Sequence, residues 1–226
     1  DGYSVLTGAH LFANTNNILF DTQVIFETLT QNKTVSSIGF VTIHPKYSTT
    51  TSGADLAIIH LKQPAFLDAD RYSIYRNDDI VFKNFTMVGY GIPGTGTQGV
   101  ETNASVPVRR MADNTIDGDV SLLNEYLGNS LSWTPPNGTQ FIADFDNGNS
   151  INDAAGQLFN KVHVGIGSQE GIISTGDSGG PAFIENKVVG IASYTTSLST
   201  YNTIPDVDTI INSSYGEIAA WQNISY

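Results

Sequence analysis

The sequence predicts an all-β chain built in two halves, and three features carry that expectation. Short apolar runs rich in β-branched and aromatic residues recur with turn signals between them. The composition is turn-rich, with 22 glycines and abundant Asn, Ser and Thr among 226 residues. A polar, irregular stretch from about residue 62 to 79, containing Pro64, separates an early series of runs from a later one. Strands at this spacing suggest a barrel or a sandwich. The halves are expected at residues 1–75 and 76–226.

In order along the chain, Tyr3 to Thr7 reads as a strand that stops at Gly8-Ala9-His10. Val24 to Phe26 and Ile38 to Ile43 follow, the latter broken into a loop by His44-Pro45-Lys46-Tyr47. Asp55 to Leu61 is entered from Ser52-Gly53. The second series starts at Ile80-Val81-Phe82 and continues through Phe85 to Gly91, before a flexible Gly/Thr stretch from Gly94 to Gly99. Periodicity is weak from 101 to 160. There, Leu122, Leu123, Tyr126 and Leu127 have helical spacing with Gly128 as a stop, and Pro135 to Gly138 is a turn. Strand text resumes at Val162 to Val164, Ala182 to Ile184 and Val188 to Ala192. Ile224 to Tyr226 reads as a last strand, although Ile218, Trp221 and Ile224 also fit one helix face.

Charge narrows the partners. The net charge is −12 and the pI about 4.4, a surface that repels phosphates and anionic lipid, so no nucleic-acid and no membrane partner is expected. No apolar run reaches the roughly 18–20 residues of a membrane span. Without cysteine there are neither disulfides nor thiolate metal sites. The chain opens on Asp1-Gly2-Tyr3 without a signal peptide, so any targeting segment is expected to have been removed.

The chemistry centres on Gly176-Asp177-Ser178-Gly179-Gly180-Pro181, a glycine-loaded turn with one hydroxyl. A serine is a poor nucleophile unless a base takes its proton and donors stabilise the oxyanion. The turn also fits G-x-S-x-G, the nucleophile elbow of α/β-hydrolases. That fold runs Ser…Asp/Glu…His. Here all four histidines, His10, His44, His60 and His163, precede Ser178, which excludes it. The order Asp…His…Ser could be built from Asp21 and His44, neither in a suggestive context. His…Asp…Ser remains, with His10 at a strand end and Asp55 opening an apolar strand. His44 reads as a solvated loop residue, and His60 and His163 as packed strand residues.

Leu6-Thr7-Gly8-Ala9-His10, Asp55-Leu56-Ala57-Ile58-Ile59 and Gly176 to Pro181, in this order, resemble the trypsin/chymotrypsin-like serine proteases. Ile43 to Tyr47, Val88-Gly89-Tyr90-Gly91 and Ile191 to Tyr194 agree. Val108 to Asp117 and Asp144 to Gly148 resemble bacterial, cysteine-free members. The resemblance implies two six-stranded antiparallel β-barrels, the first lacking its first strand. It implies Ser178 as nucleophile, His10 as base, Asp55 as the orienting carboxylate, and backbone N–H groups of Gly176 and Ser178 as oxyanion hole. Ile172 would floor the primary pocket, with Ser193 lining it and Tyr194 in place of the usual tryptophan. Asp206 would supply an acidic wall if Ile204 to Val207 aligns there; Ala219-Ala220-Trp221 would make the pocket apolar.

Asp177 is the departure. In the family its equivalent pairs with a freed N-terminal amine, and a buried carboxylate without a cation is expensive. Asp1 lies too close to His10 along the chain to serve, so a trimmed or differently matured chain is expected. Asp144-Phe145-Asp146-Asn147-Gly148 resembles the start of a calcium loop, without the Glu at its twelfth position. No cofactor is therefore expected, with Asp144 and Asp146 as candidate calcium ligands and an Asp/Asn turn as the alternative. The implied function is a secreted or periplasmic, monomeric endopeptidase acting on polypeptides. A binding module that keeps the fold, or an esterase with the same triad, are the alternatives.

Overall fold

The computed structural model describes residues 2–13, 23–29, 34–101, 103, 108–128, 131 and 133–225. It is nearly all β, with two curled antiparallel half-barrels, as the chymotrypsin-like double barrel requires. The first comprises β1 (Ser4–Thr7), β2 (Gln23–Phe26), β3 (Thr34–Ile43) and β4 (Ala57–Leu61) in the order β1-β4-β3-β2. Along β4 the side chains alternate, with Ala57, Ile59 and Leu61 buried and Ile58 exposed, the period-2 signature of a strand with one covered face. Ile38, Ile59 and Leu61 form the centre of this core, packed by Val5, Phe12, Val24, Phe26, Val41 and Ala65. His60 behaves as a packed strand residue, its ring stacked on Phe40 at 4.1 Å.

The second sheet has β5 (Asn84–Gly89), β8 (Arg110–Thr115), β9 (Gly118–Asp119), β10 (Gln140–Asp144), β11 (Pro181–Ile184), β12 (Lys187–Thr196) and β13 (Ile218–Asn223), in the order β8-β5-β11-β12-β13-β10-β9. Trp221 lies at its centre, stacked on Phe141 at 5.5 Å and 8° and edge-on to Phe85 at 4.9 Å. All five residues of β10 are buried. One face meets the Trp221 cluster, and the other is covered by helix α1 (Ala154–Phe159).

Several sequence expectations shift. Ile80 to Phe82 is a turn, with Phe82 in the left-handed region at φ 62°. Gly94 to Gly99 is not a loose stretch: β6 (Gly94–Thr95) and β7 (Gly99–Val100) close it into a hairpin. Val162 to Val164 is irregular, because His163 faces the acidic loop before α1 rather than a sheet neighbour. The last strand is β13, earlier than Ile224, and Tyr226 lies outside the described residues. The expected short helix forms as a π-type turn over Leu123–Leu127, capped by Gly128 at φ 47°.

Candidate active site

Strand register brings His10 and Asp55 together. β1 and β4 run antiparallel with Thr7 opposite Ala57, so the residue shortly after one and the residue shortly before the other meet at the same sheet end. His10 sits in a 3-10 turn over Ala9–Leu11. Its Nδ1 lies 2.7 Å from Asp55 Oδ2, and its backbone N–H donates to Asp55 Oδ1 at 2.8 Å. The Ser193 hydroxyl donates to Asp55 Oδ2 at 2.5 Å. Asp55 is only 1% exposed. Burial pushes its carboxyl up, but the His10 ring, the Ser193 hydroxyl and the His10 N–H outweigh burial and hold it below the usual carboxylate range. A proton held on Nδ1 leaves Nε2 as the basic nitrogen.

That depressed carboxyl predicts a pH dependence. A group whose folded pKa lies below its unfolded value contributes stability that is complete above the unfolded value, about 3.9 for Asp, and lost as pH falls through the folded one. The difference in unfolding free energy between the parent and Asp55→Ala should therefore persist to about pH 4 and shrink only below it. Urea unfolding across that range measures it. A difference already lost at about pH 5 would mean that the carboxyl is not held low.

The Ser178 turn comes from the other sheet. Gly179 N–H donates to Ala192 O at 2.9 Å, and Ala192 N–H donates to Gly180 O at 2.8 Å, which ties the turn to β12 one residue before Ser193. Gly176 and Gly179 take φ of 99° and 79°, which disfavour any side chain. A Cβ on Gly179 would collide with the Thr7 hydroxyl and lie 2.9 Å from Gly8 N. The turn therefore presses directly on the segment that delivers His10. Among the described residues, the N–H groups of Gly176 and Ser178 are not engaged in hydrogen bonds. The loop bearing Asp55 is also gripped from the second sheet: the buried Gln140 and Gln222 side chains donate to Ser52 O at 2.8 and 2.9 Å.

Among the described residues, backbone N–H groups hold Asp177. Gly91 N–H donates to its Oδ1 at 2.7 Å and Ser174 N–H to its Oδ2 at 2.9 Å, while the Ser174 hydroxyl, 3.3 Å from Oδ2, donates to Ile92 O at 2.7 Å. A Cβ on Gly89 or Gly91 would strike this carboxylate, which accounts for glycine at both places in Val88-Gly89-Tyr90-Gly91. The carboxylate faces a cavity of about 380 Å³, which Ile172, Arg110 and Glu170 also line.

The remaining sequence-predicted residues fall as follows. Ser193 is buried against Asp55. Tyr194 donates its hydroxyl to Gln140 Oε1 at 2.9 Å and meets Trp133 edge-on, and burial pushes its phenol up. Ile172 packs on the Trp221 core. Asp206 lies in the β12–β13 loop, accepting from Ser214 Oγ and Asp208 N, while Ala219, Ala220 and Trp221 run beside β12 opposite Thr195, Tyr194 and Ala192. Asp144 and Asp146 come together with Asp153, which sequence reasoning missed. Burial, reinforced by neighbouring carboxylates, pushes the acids of Asp117, Asp144 and Asp146 up.

The family model for trypsin matches residues 1–217. No curated protein matches the sequence. Among solved structures, mouse neuropsin, a serine protease expressed in the limbic system of the brain, is similar in fold. Its TM-score is 0.64 at 15% identity, covering 99% of this chain and 81% of that one. With the family matched over nearly its whole length, the chain belongs to the trypsin family of serine proteases.

Proposed function

We propose that the protein is a secreted serine endopeptidase. Ser178 Oγ attacks the scissile carbonyl, and His10 Nε2 takes its proton. The N–H groups of Gly176 and Ser178 hold the oxyanion of the tetrahedral intermediate. His10 returns the proton to the leaving amine, and water then hydrolyses the acyl-enzyme by the same path. The observation that carries this reading is the His10–Asp55 pair, fixed by two hydrogen bonds and pressed by the glycine turn that bears Ser178. An extracellular location and a monomeric enzyme acting on polypeptides fit the family and the acidic surface, which disfavours nucleic acid.

A fluorophosphonate probe tests the enzyme. It should label the intact protein at Ser178 and fail to label Ser178→Ala; an unlabelled, folded parent would sink the proposal. Turnover of ester substrates with no cleavage of peptides would point to an esterase instead. The pairing of β13 with β12 supports an apolar primary pocket, so cleavage is expected after apolar or small residues. On a peptide panel, Asp206→Ala should leave that preference unchanged. Fast cleavage after Arg or Lys, abolished by Asp206→Ala, would overturn it.

A further inference from the structure

We propose that the loop joining β10 to α1 is a calcium site, with the carboxylates of Asp144, Asp146 and Asp153 as its ligands. Each offers an oxygen, and these oxygens lie within 4.8 Å of one another. The three residues are only 1%, 4% and 2% exposed. Among the described residues no Lys or Arg comes within ion-pair distance of them. The nearest basic group is His163, whose Nδ1 lies 3.8 Å from Asp146 Oδ2. That nitrogen is placed to accept the Gly165 N–H at 3.3 Å, and in that arrangement it has no proton for Asp146.

An independent observation points to a ligand. Asp146 Oδ1 is buried with no hydrogen-bond donor, as is Asp117 Oδ1 beside it. A buried carboxylate oxygen without a partner is costly, and three adjacent carboxylates are relieved by protons or by a cation among them. The other oxygens of the cluster are already spoken for. Ala155 N–H donates to Asp144 Oδ2 at 2.7 Å, and Gly156 N–H donates to Asp153 Oδ1 at 2.5 Å, where Asp153 caps α1. Asp144 also shares a hydrogen bond with the Asp117 carboxyl, and the His163 backbone N–H also donates to Asp153, which leaves Asp146 Oδ1 as the unpartnered oxygen of the cluster. Glu170 accepts from Asp146 N and Ile166 N, both at 2.6 Å, and so braces the loop from outside.

The donor set selects the ion. Three carboxylates, in a loop rich in Asn, form a hard, oxygen-dominated set without thiolate, with the His163 imidazole at its edge. Ligands supplied by an irregular loop suit calcium's flexible six- to eight-fold coordination better than magnesium's strict octahedron. The site would also reach the protease machinery. Asn114 Nδ2 donates to both Asp144 O at 2.7 Å and Gly171 O at 2.9 Å, which couples the loop to the segment that leads into Ser178.

The test uses chelator-treated Ser178→Ala protein, so that self-digestion cannot interfere and the readout does not depend on activity. Calorimetry should find one calcium per chain, and calcium at about 100-fold over its Kd should raise Tm by roughly 5–10 °C. Magnesium should do far less. Asp146→Asn should weaken calcium binding at least about tenfold. Hydrogen exchange on the calcium-loaded protein should slow amides within 144–156, which locates the ion even if Asp146→Asn fails to fold. No heat and no Tm shift up to about 10 mM calcium would overturn the proposal. So would protection confined to 206–217, where Asp206 Oδ2 and Glu217 Oε2 are also buried without donors.

Discussion

Ser178→Ala and His10→Ala are each expected to lower kcat on a peptide substrate by about 10⁴-fold or more, and the double variant by little further. The near-identity of the losses follows from shared work. Without the imidazole the hydroxyl keeps its proton, and without the hydroxyl the imidazole has nothing to activate. Asp55→Asn should cost about 10⁴-fold for a different reason. An amide nitrogen facing His10 Nδ1 would turn the ring toward the wrong tautomer, because Asp55 Oδ2 sits 2.7 Å from that nitrogen. The residual rate would come from the N–H groups of Gly176 and Ser178, which none of these changes removes. Steady-state kinetics on a chromogenic peptide, with enzyme concentration fixed by absorbance of folded protein, measures all four variants. A Ser178→Ala protein within tenfold of the parent would exclude it as the nucleophile.

Asp177→Asn is expected to impair both stability and turnover, and turnover more. Two backbone N–H donors converge on the carboxylate, from Gly91 and Ser174. Asparagine keeps one acceptor oxygen and turns an NH₂ toward at least one of those donors. Hydrogen bonds to a charged group contribute about 1.5–3 kcal/mol, and a buried donor left unmatched costs a similar amount, so a loss of about 2–3 kcal/mol is expected. Asp177 also separates Gly176 from Ser178. Any shift in its side chain moves both N–H groups proposed to hold the oxyanion, and misplacing one such donor costs about 10²–10³ in kcat. Urea unfolding and kcat, measured on the same preparation, separate the two effects. A kcat unchanged in a folded Asp177→Asn protein would mean that the carboxylate does not position the turn.

Much of this arrangement was legible because it is written locally. β1 and β4 announce themselves by β-branched runs, and the order of His10, Asp55 and Ser178 pointed to one fold among three. The harder parts depend on what lies opposite. β10 shows no alternation because helix α1 covers the face that would otherwise carry polar residues. β8, Arg110 to Thr115, is too polar to stand out, and it is a strand because β5 pairs with it along its whole length. Asp177 is met by backbone N–H groups from residues 91 and 174, and no spacing rule reveals the one from 174. Asp153 was invisible for the same reason, nine residues beyond Asp144 and brought back by the turn into α1.

The grip of Gln140 and Gln222 on Ser52 has a consequence for the life of the chain. The acid–base pair belongs to one sheet and the serine to the other, and the loop holding Asp55 is fastened by side chains of the second. A newly made chain with only its first sheet formed has a base and no nucleophile; with only the second, a nucleophile and no base. On the proposed mechanism, cutting power would require both halves to be formed and closed on each other. A half-folded copy would then lack the means to cut its unfolded neighbours.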